Sequence, residues 1–521
     1  MKPNAYIRTW AAVCLLPISA MAASEPPNII FIVTDDHGYN DLEATDLHDE
    51  VDLPNIHKLS TEGALMTQAY CTAPQCVPSR AGIVTGRYQQ RFGIGQNREG
   101  PLPTTQKSIA SRLKGLGYTT GHVGKWHLDP NRNTKRWFGE HGYTSMADVP
   151  ASVVNAHRPQ NFGYDEYAQG AGNNYWSNFD VNGKTFSPKA INYHQYEDRS
   201  HADRFRIQLQ TELALAFLNR HADKPSPFFL YLAYYGPHSP MNAPPSLTDQ
   251  VLSLDELEAK GYDNTMARHK KNQNYPRDYT QAEVRQQGLA LLKGIDNGVG
   301  DIYALLEEKG ELENTIIFFM SDNGAPLGVR PWDGSLNDPW HGSKGIIFEG
   351  GSRIPYIVHW KGVVDAQIFD KGVNTLDAGA TAVALAGSDP AEDPLLEGVN
   401  LMPFLTGKDD SDPHRYLYQR FRNTASITSG KHKYMIHENG EELLFDLTME
   451  TPGAYDPEKD FHEAVNLIDT LPEKTAELRA ALYEWNNEMP TPMEEDGFQS
   501  SLYDYIEKNW GFREEPQTTD Q

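Results

Sequence analysis

Three stretches of the chain are apolar at consecutive positions, not at alternate ones. They are Asn28–Thr34, built on IIFIV, Phe228–Gly236, which reads FFLYLAYYG, and Thr315–Ser321, built on IIFFM. A strand with one wet face alternates, so continuous runs of this length predict strands buried on both faces, as in a parallel sheet. Between them, apolar residues recur three and four positions apart over Ser108–Gly117, Arg206–Asn219 and Gln281–Glu308, which predicts helices. Strands alternating with helices imply an α/β fold: a large mixed, mostly parallel sheet flanked by helices.

Elsewhere the pattern changes. Asp129–Ser200 has no clear period and is rich in Asn, Gly, His, Tyr and Trp, so it reads as an elaborated surface region. From about Gly398 short apolar pieces (Leu417–Gln419, Tyr434–Ile436, Leu443–Phe445) precede one helical segment, Thr475–Asn487. That texture predicts a smaller C-terminal α+β domain, residues 408–521, whose Pro- and Glu-rich tail after Met489 wraps the surface. At the other end, Lys2 and Arg8, the apolar Trp10–Ile18 and the small-residue Ala20-Met21-Ala22 have the three parts of a secretory signal. Residues 1–22 are therefore read as a signal peptide, 23–407 as the main α/β domain, and the protein as exported, periplasmic or extracellular. No apolar run approaches the ~20 residues of a membrane-spanning helix.

Charge narrows the class of partner. The 71 acidic residues outnumber the 46 basic ones, for a net charge of −25, which disfavours nucleic acid. An anionic substrate would need a local basic island in this acidic field.

The ends of the apolar runs carry candidate chemistry. The first ends in Asp35-Asp36 and the third in Ser321-Asp322-Asn323-Gly324. Three carboxylates and an amide oxygen make a hard, all-oxygen set suited to Ca²⁺ or Mg²⁺ rather than zinc, although Asp-Asp after a strand also serves turns and helix caps. If Thr120–Leu128 is extended, Lys125 and His127 share a face and offer a fixed cation beside a proton-transfer group. His238 lies between Pro237 and Pro240 in a stiff loop. Lys344 stands in a glycine-rich stretch that allows close backbone approach. Finally, CTAPQCVPSRAGIVTGR runs from Cys71 to Arg87. Pro78 suits a first helical turn, which puts Cys76 at a helix N-terminus with its partial positive charge and free N–H groups, near the permanent cation of Arg80. Read alone, a Cys71–Cys76 disulfide, a solvated lysine and a structural histidine remain open.

In this order, the segments resemble a known family. CVPSRAGIVTGR, Cys76–Arg87, is similar to the signature C-x-P-S-R-A-x-x-x-T-G-R of the formylglycine-dependent (type I) sulfatases of the alkaline-phosphatase superfamily. GKWHL, PHSP, SDNG and SKGIIFEGGSRIP stand where that family places further blocks, and EGVNLMPFLTG resembles the close of its main domain, so the likeness spans roughly Asn28 to Gly407. The resemblance implies an alkaline-phosphatase-like fold and sulfate-ester hydrolysis. It implies that a maturation enzyme oxidises Cys76 to Cα-formylglycine, whose hydrate attacks sulfur through one hydroxyl and expels sulfate through the other. Asp35, Asp36, Asp322, Asn323 and the modified Cys76 match the ligands of one calcium ion. Lys125 and Lys344 match the lysines that hold sulfate, His127 the histidine at the formylglycine hydroxyl, His238 the acid toward the leaving oxygen, and Arg80 the arginine that steadies the nucleophile. Cys76 is then a precursor rather than half of a disulfide.

One block departs from the family. Where Arg-Gly-x-Lys is common, this chain has His341-Gly342-Ser343-Lys344, which makes His341 a candidate substrate contact. Aromatic faces stack on sugars, and Trp126, Trp137, Tyr175, Trp176, Trp332 and Trp340 fall in or beside the irregular segments, with His157, Arg158, His194 and Arg199 adding polar and cationic groups. Export and an elaborated rim favour a sulfated oligo- or polysaccharide, with carrageenan, another sulfated galactan or ulvan as the leading expectation. The alternatives are a formylglycine-dependent phosphonate or phosphodiester hydrolase and a non-catalytic sulfated-glycan-binding protein. The intact set of Cys76, Arg80, Lys125, His127, His238 and Lys344 speaks against the last.

Overall fold

The computed structural model describes residues 26–45, 49–195, 205–262, 278–327, 332–437, 439–448, 463 and 465–491. The expected signal peptide, Arg199 and the tail from residue 492 lie outside the described residues, as does the side chain of His194. The strands, in chain order, are β1 (Asn28–Asp35), β2 (Ala64–Met66), β3 (Ala69–Tyr70), β4 (Thr119–Gly124), β5 (Glu166–Ala171), β6 (Asn174–Phe179), β7 (Thr185–Asn192), β8 (Phe228–Pro237), β9 (Thr315–Ser321), β10 (Tyr356–His359), β11 (Gln367–Phe369), β12 (Val373–Asn374), β13 (Leu417–Phe421), β14 (Thr424–Ser429), β15 (His432–Ile436) and β16 (Glu442–Asp446). Ten of them form one sheet in the order β11-β2-β10-β9-β1-β8-β4-β5-β6-β7. Its centre, β9-β1-β8-β4-β5, is parallel throughout.

The continuous apolar runs are these central strands, and their alternation divides two cores. Ile30 and Ile32 of β1, Leu230 and Leu232 of β8, and Ile317 and Phe319 of β9 enter one core with the helices Arg206–His221 and Gln281–Lys309. Ile29, Phe31 and Val33, with Phe229, Tyr231, Ile316 and Phe318, enter the other with the helices Cys76–Thr85, Ile109–Gly115 and Leu376–Leu385. In-register pairing puts Phe31 between Phe229 and Phe318, with ring centroids 5.1 and 5.2 Å away. Burial of both faces is why neither face needed a polar position. The helix Gln281–Lys309 begins at a Thr280–Glu283 capping box and ends at Gly310 in the left-handed conformation, a start and a stop written in local chemistry. No helix of the described residues is long and apolar enough to cross a membrane.

The irregular reading of Asp129–Ser200 is corrected. The segment holds β5, β6 and β7 and the short helices Lys135–Glu140 and Ala151–Ala156. The edge strand β7 buries only Ile191 among its eight residues, so it offers no apolar signal to read. In the C-terminal part, β13, β15 and β16 are the expected pieces, while β14, sequence TASITS, has too little apolar character to stand out. These four strands form an antiparallel sheet packed against the helix Pro472–Asn487 through Ile427, Tyr434, Leu478, Leu482 and Trp485.

His414, just before β13, is tied to the first turn of the helix Leu376–Leu385 in the main part of the fold. Its Nε2 lies 2.9 Å from both carboxylate oxygens of Asp377. Burial disfavours the imidazolium, but the Asp377 charge more than offsets this and raises the pKa above its ordinary 6.5. A raised histidine pKa stabilises the fold at pH values below the unfolded value and loses that contribution as pH rises through the folded one. The stability advantage of wild type over His414→Gln, read from urea unfolding, is therefore expected to shrink as pH rises from about 6 through the folded pKa. An advantage that stays constant or grows over that range would contradict this account.

Candidate active site

The chain leaves β1 through Asp35 and Asp36 and the adjacent parallel β9 through Asp322 and Asn323, with Thr34 in register with Ser321. Both strands end at the same sheet edge, where ligands gather in open α/β sheets. The Asp322 N–H donates to the Thr34 carbonyl at 3.0 Å and the Asp36 N–H to Asp322 Oδ1 at 3.2 Å. Asp36 adopts φ 65°, a strained conformation for a residue with a Cβ and one that concentrates at functional sites. On the other side of β1, the chain leaving β8 places His238, whose N–H donates to the Asp35 carbonyl at 3.0 Å.

The next strand, β4, stops at Gly124, so the expected extended run to Leu128 is corrected. Positive φ values at Gly124 (97°) and His127 (60°) bend the chain. Lys125, Trp126 and His127 nevertheless line one cavity, the Trp126 ring also packing edge-on against His122 and Tyr164 of the core.

Cys76 is the first residue of its helix, after the extended Gln75. Pro78 occupies the first turn, where its missing N–H costs nothing. The Val77 N–H is not free, as the sequence led us to expect. It donates to Asn97 Oδ1 at 2.9 Å, and the Asn97 N–H donates in turn to Gln75 Oε1 at 2.7 Å. Sequence reasoning missed these two residues because the cap is completed from outside the helix.

Around Cys76 the cluster closes. The thiol lies 3.4 Å from Asp35 Oδ1, and Lys344 Nζ lies 3.1 Å from the sulfur. Lys125 pairs with Asp35 Oδ2 and Lys344 with Asp36 Oδ1. Arg80 donates to Asp322 Oδ2 at 2.8 Å and places Nη2 3.8 Å from Asp35 Oδ1. His238 points Nε2 at Asp36 Oδ2 from 3.8 Å and turns Nδ1 to the Ser239 carbonyl at 2.7 Å. His127 and His238 keep a partly open edge; the other members are buried. Burial pushes the Cys76 thiol up to about 12, against the pull of Lys125 and Lys344. Burial and the neighbouring carboxylates likewise hold Asp322 up at about 6 despite Arg80. Asp35 goes the other way: burial would raise it, but Lys125, His238, Arg80 and Lys344 together keep it well below the carboxylate range.

The residues fit a hard cation. Donor atoms of Asp35, Asp36, Asp322 and Cys76 all lie within 4.8 Å of one another. Asn323 donates its amide to Asp36 Oδ1 at 2.7 Å and leaves its buried Oδ1 without a hydrogen-bond partner. An orphaned acceptor beside three carboxylates completes the donor chemistry that calcium or magnesium takes.

A family model described as Sulfatase matches residues 27–388, a span that contains every member of this cluster. The chain belongs to the sulfatase family. It is a sulfuric ester hydrolase. N-Acetylgalactosamine-6-sulfatase of Mus musculus is 29% identical over 80% of this chain and 73% of its own length. The enzyme of the same name from Homo sapiens is 30% identical over 80% and 72%. The crystal structure of Ps i-CgsB in complex with k-i-k-neocarrahexaose matches with a TM-score of 0.67 and 26% identity, over 93% of this chain and 98% of that one.

The sulfatase does not bring all the residues proposed for substrate to this opening. His341 is buried and stacks on Phe348, 4.6 Å away, on the side of the C-terminal sheet. Trp340 lies beneath the Arg353 guanidinium, and Trp332 stacks on Tyr262. Trp126 and Tyr175 are in the cores. Trp137 packs with Phe138 and Val154, and His157 is bonded to the Leu102 carbonyl at 2.8 Å. Trp176 stays half exposed, with the Arg158 guanidinium 3.9 Å over its ring. Conversely, Asp333 was missed. It is buried beside Asp36, and burial and that like charge hold its carboxyl well above the usual range. Its loop has no periodicity that could have flagged it.

A second buried network positions Lys344. Lys433 of β15 donates to Glu349 Oε1 at 3.0 Å and to the Ile347 carbonyl at 2.6 Å, and lies 2.9 Å from Glu463 Oε1. Arg353 and Tyr70 hold the other oxygen of Glu349 at 2.7 and 3.0 Å. The C-terminal sheet thus grips the loop that carries Lys344. Gly324 lets the loop that carries Asp322 and Asn323 pass over this one: a Cβ there would lie 1.9 Å from the Gly350 carbonyl oxygen. Removing one member of a buried ion cluster leaves uncompensated charge. Lys433→Met is expected to lower unfolding free energy by about 3–5 kcal/mol, read as a shifted urea midpoint. An unchanged midpoint would remove the network from the account.

Proposed function

We propose that this sulfuric ester hydrolase removes sulfate from a sulfated carbohydrate, using Cα-formylglycine formed from Cys76 and one calcium ion. The observation that carries the reading is the position of residue 76: the first residue of a buried helix, with Asp35 and Lys344 on its side chain and the oxygen-donor set around it. Asp35, Asp36, Asp322 and Asn323 would hold the cation together with residue 76. Bound there, it would supply Lewis-acid polarisation of the sulfate oxygens, while the hydrated aldehyde supplies one hydroxyl for attack and a second through which sulfate can leave.

The remaining groups of the chain divide the other work. Lys125 and Lys344 bring two positive charges to a water-poor site, where they offset the charge of a sulfate ester. Arg80 keeps the nucleophile's surroundings in register by bonding Asp322 and, through Nη1 at 3.3 Å, the Lys125 carbonyl. To His127, which lines the same cavity as Lys125, we assign the proton of residue 76. His238, fixed through Nδ1, presents Nε2 to the cluster as the acid for the sugar oxygen. The likeness to sulfatases of amino sugars and to a neocarrahexaose complex supports a glycan substrate, with a sulfated galactan such as carrageenan as our reading. We infer further that residues 1–22 direct export, that 23–407 form the catalytic domain and that 408–521 form the smaller one.

In Cys76→Ser, sulfate release is expected to fall by at least about 10³-fold while the unfolding midpoint stays within the usual range for a surface change. Peptide mass spectrometry of active wild type should show the formyl form at position 76. Full activity in the serine variant would overturn the chemistry, and release from an aryl sulfate alone, none from galactan fragments, would overturn the glycan assignment. Prolonged chelation is expected to lower turnover, with calcium restoring it better than zinc. Equal recovery with zinc would contradict the hard-oxygen site.

A further inference from the structure

Beside the catalytic cluster lies a cavity of about 180 Å³ whose wall includes Lys125, Trp126, His127, Gln169, Gly170, Ala171 and Tyr235. Lys125 and His127 belong to the chemistry. Gln169, Gly170 and Ala171 come from the end of β5 and Tyr235 from the end of β8, and the reaction as described leaves them without work. Gln169 is built into this wall. Its amide nitrogen donates to Asp129 Oδ2 at 2.6 Å, which fixes the direction of the side chain. Its Oε1 is buried and has no hydrogen-bond partner. A buried acceptor left open is costly unless a ligand fills it, and a sugar hydroxyl is the donor that suits it.

Directly across the β5–β6 ladder from Gln169 is Trp176. The Arg158 guanidinium lies flat over its ring at 3.9 Å, with Nε and Nη1 buried and without hydrogen-bond partners. Among the described residues no carboxylate reaches ion-pair distance of it. Asp129, whose carboxylate is bonded to Gln169, acts on it only through space, and a guanidinium pre-oriented on an aromatic face with no carboxylate at bonding distance can hold an oxyanion through two parallel bonds.

We propose that this wall reads the sugar around the scissile ester, Gln169 Oε1 accepting a hydroxyl and Arg158 on Trp176 pairing with a second anionic substituent, so that the preferred substrate carries two negative groups. The inference rests on the glycan-sulfatase reading and names the substrate class within it. The shared chemistry is an oxyanion, either a second sulfate or a uronate carboxylate.

Three sulfated disaccharides test it: one with a single sulfate, one with two sulfates, and one with a single sulfate and a uronic carboxylate. Dissociation constants by calorimetry and rates of sulfate release are measured for wild type, Arg158→Gln and Arg158→Lys. Wild type should bind one of the doubly charged sugars at least about tenfold more tightly than the singly charged one, as a charge-assisted bidentate contact allows. Arg158→Gln should bring that ratio close to one, and Arg158→Lys should keep part of it. Because each ratio is taken within one preparation, a partly misfolded variant does not distort it. The better of the two doubly charged sugars identifies the oxyanion. A wild-type ratio near one, or an unchanged ratio in Arg158→Gln, overturns the subsite. Binding without sulfate release from any sugar overturns the chemistry instead, and the ratio of dissociation constants still judges the subsite.

Discussion

Everything in this molecule is arranged around one unfavourable act, the crowding of Asp35, Asp36 and Asp322 in an interior that excludes water. Like charges at such distances in a poorly screened medium repel strongly. The fold meets that cost by delivering a cation from each of three separate segments: Arg80 from the helix that begins at Cys76, Lys125 from just beyond β4 and Lys344 from the glycine-rich loop. Each pairing also fixes a position. The charges needed to tolerate the carboxylates are the same charges needed to hold an anionic ester, so the basic island in an acidic protein follows from the electrostatics of the site itself.

Such a cluster needs a rigid base, and the two cores supply it. β1, β8 and β9 are buried on both faces, and the aromatic ladder through Phe31 locks them in register. A one-residue slip would exchange every side chain between the two cores, so the strand ends are set with the accuracy of the packing. Asp35 and Asp36 on one end and Asp322 and Asn323 on the other inherit that accuracy. The loop bearing Lys344 has no such strand beneath it and is held instead by Lys433, Glu349 and Glu463, a network that reaches across from the C-terminal sheet. The smaller part of the fold therefore has a direct mechanical bearing on the Lys344 side of the buried cluster.

The outer wall follows different physics. β5 to β7 extend the sheet where only one side needs to be dry, and their polar residues are arranged by hydrogen bonds and stacking, as in Gln169 on Asp129 and Arg158 on Trp176. Such contacts are individually modest but directional, which suits the recognition of one ligand over another better than the support of a core.

The sequence by itself determined the central strands and the long helices, because doubly buried strands and amphipathic helices are dictated by local period. It also determined the placement of Cys76 at a helix start, since Pro78 suits the first turn. The main candidate residues were legible for the same reason: Asp35, Asp36, Asp322, Asn323, Lys125 and His238 all stand at or just beyond strand ends. What only the tertiary structure decided was which side chains meet. Trp126, Trp332, Trp340 and His341 turn toward protein groups, whereas Asp333 turns toward Asp36. No spacing encodes that choice, because it depends on the packing of segments hundreds of residues apart. The edge strand β7 was hidden because it buries few side chains and is held by its neighbour's backbone, and β14 because the side chains it buries are mostly small or polar; both leave little hydrophobic trace.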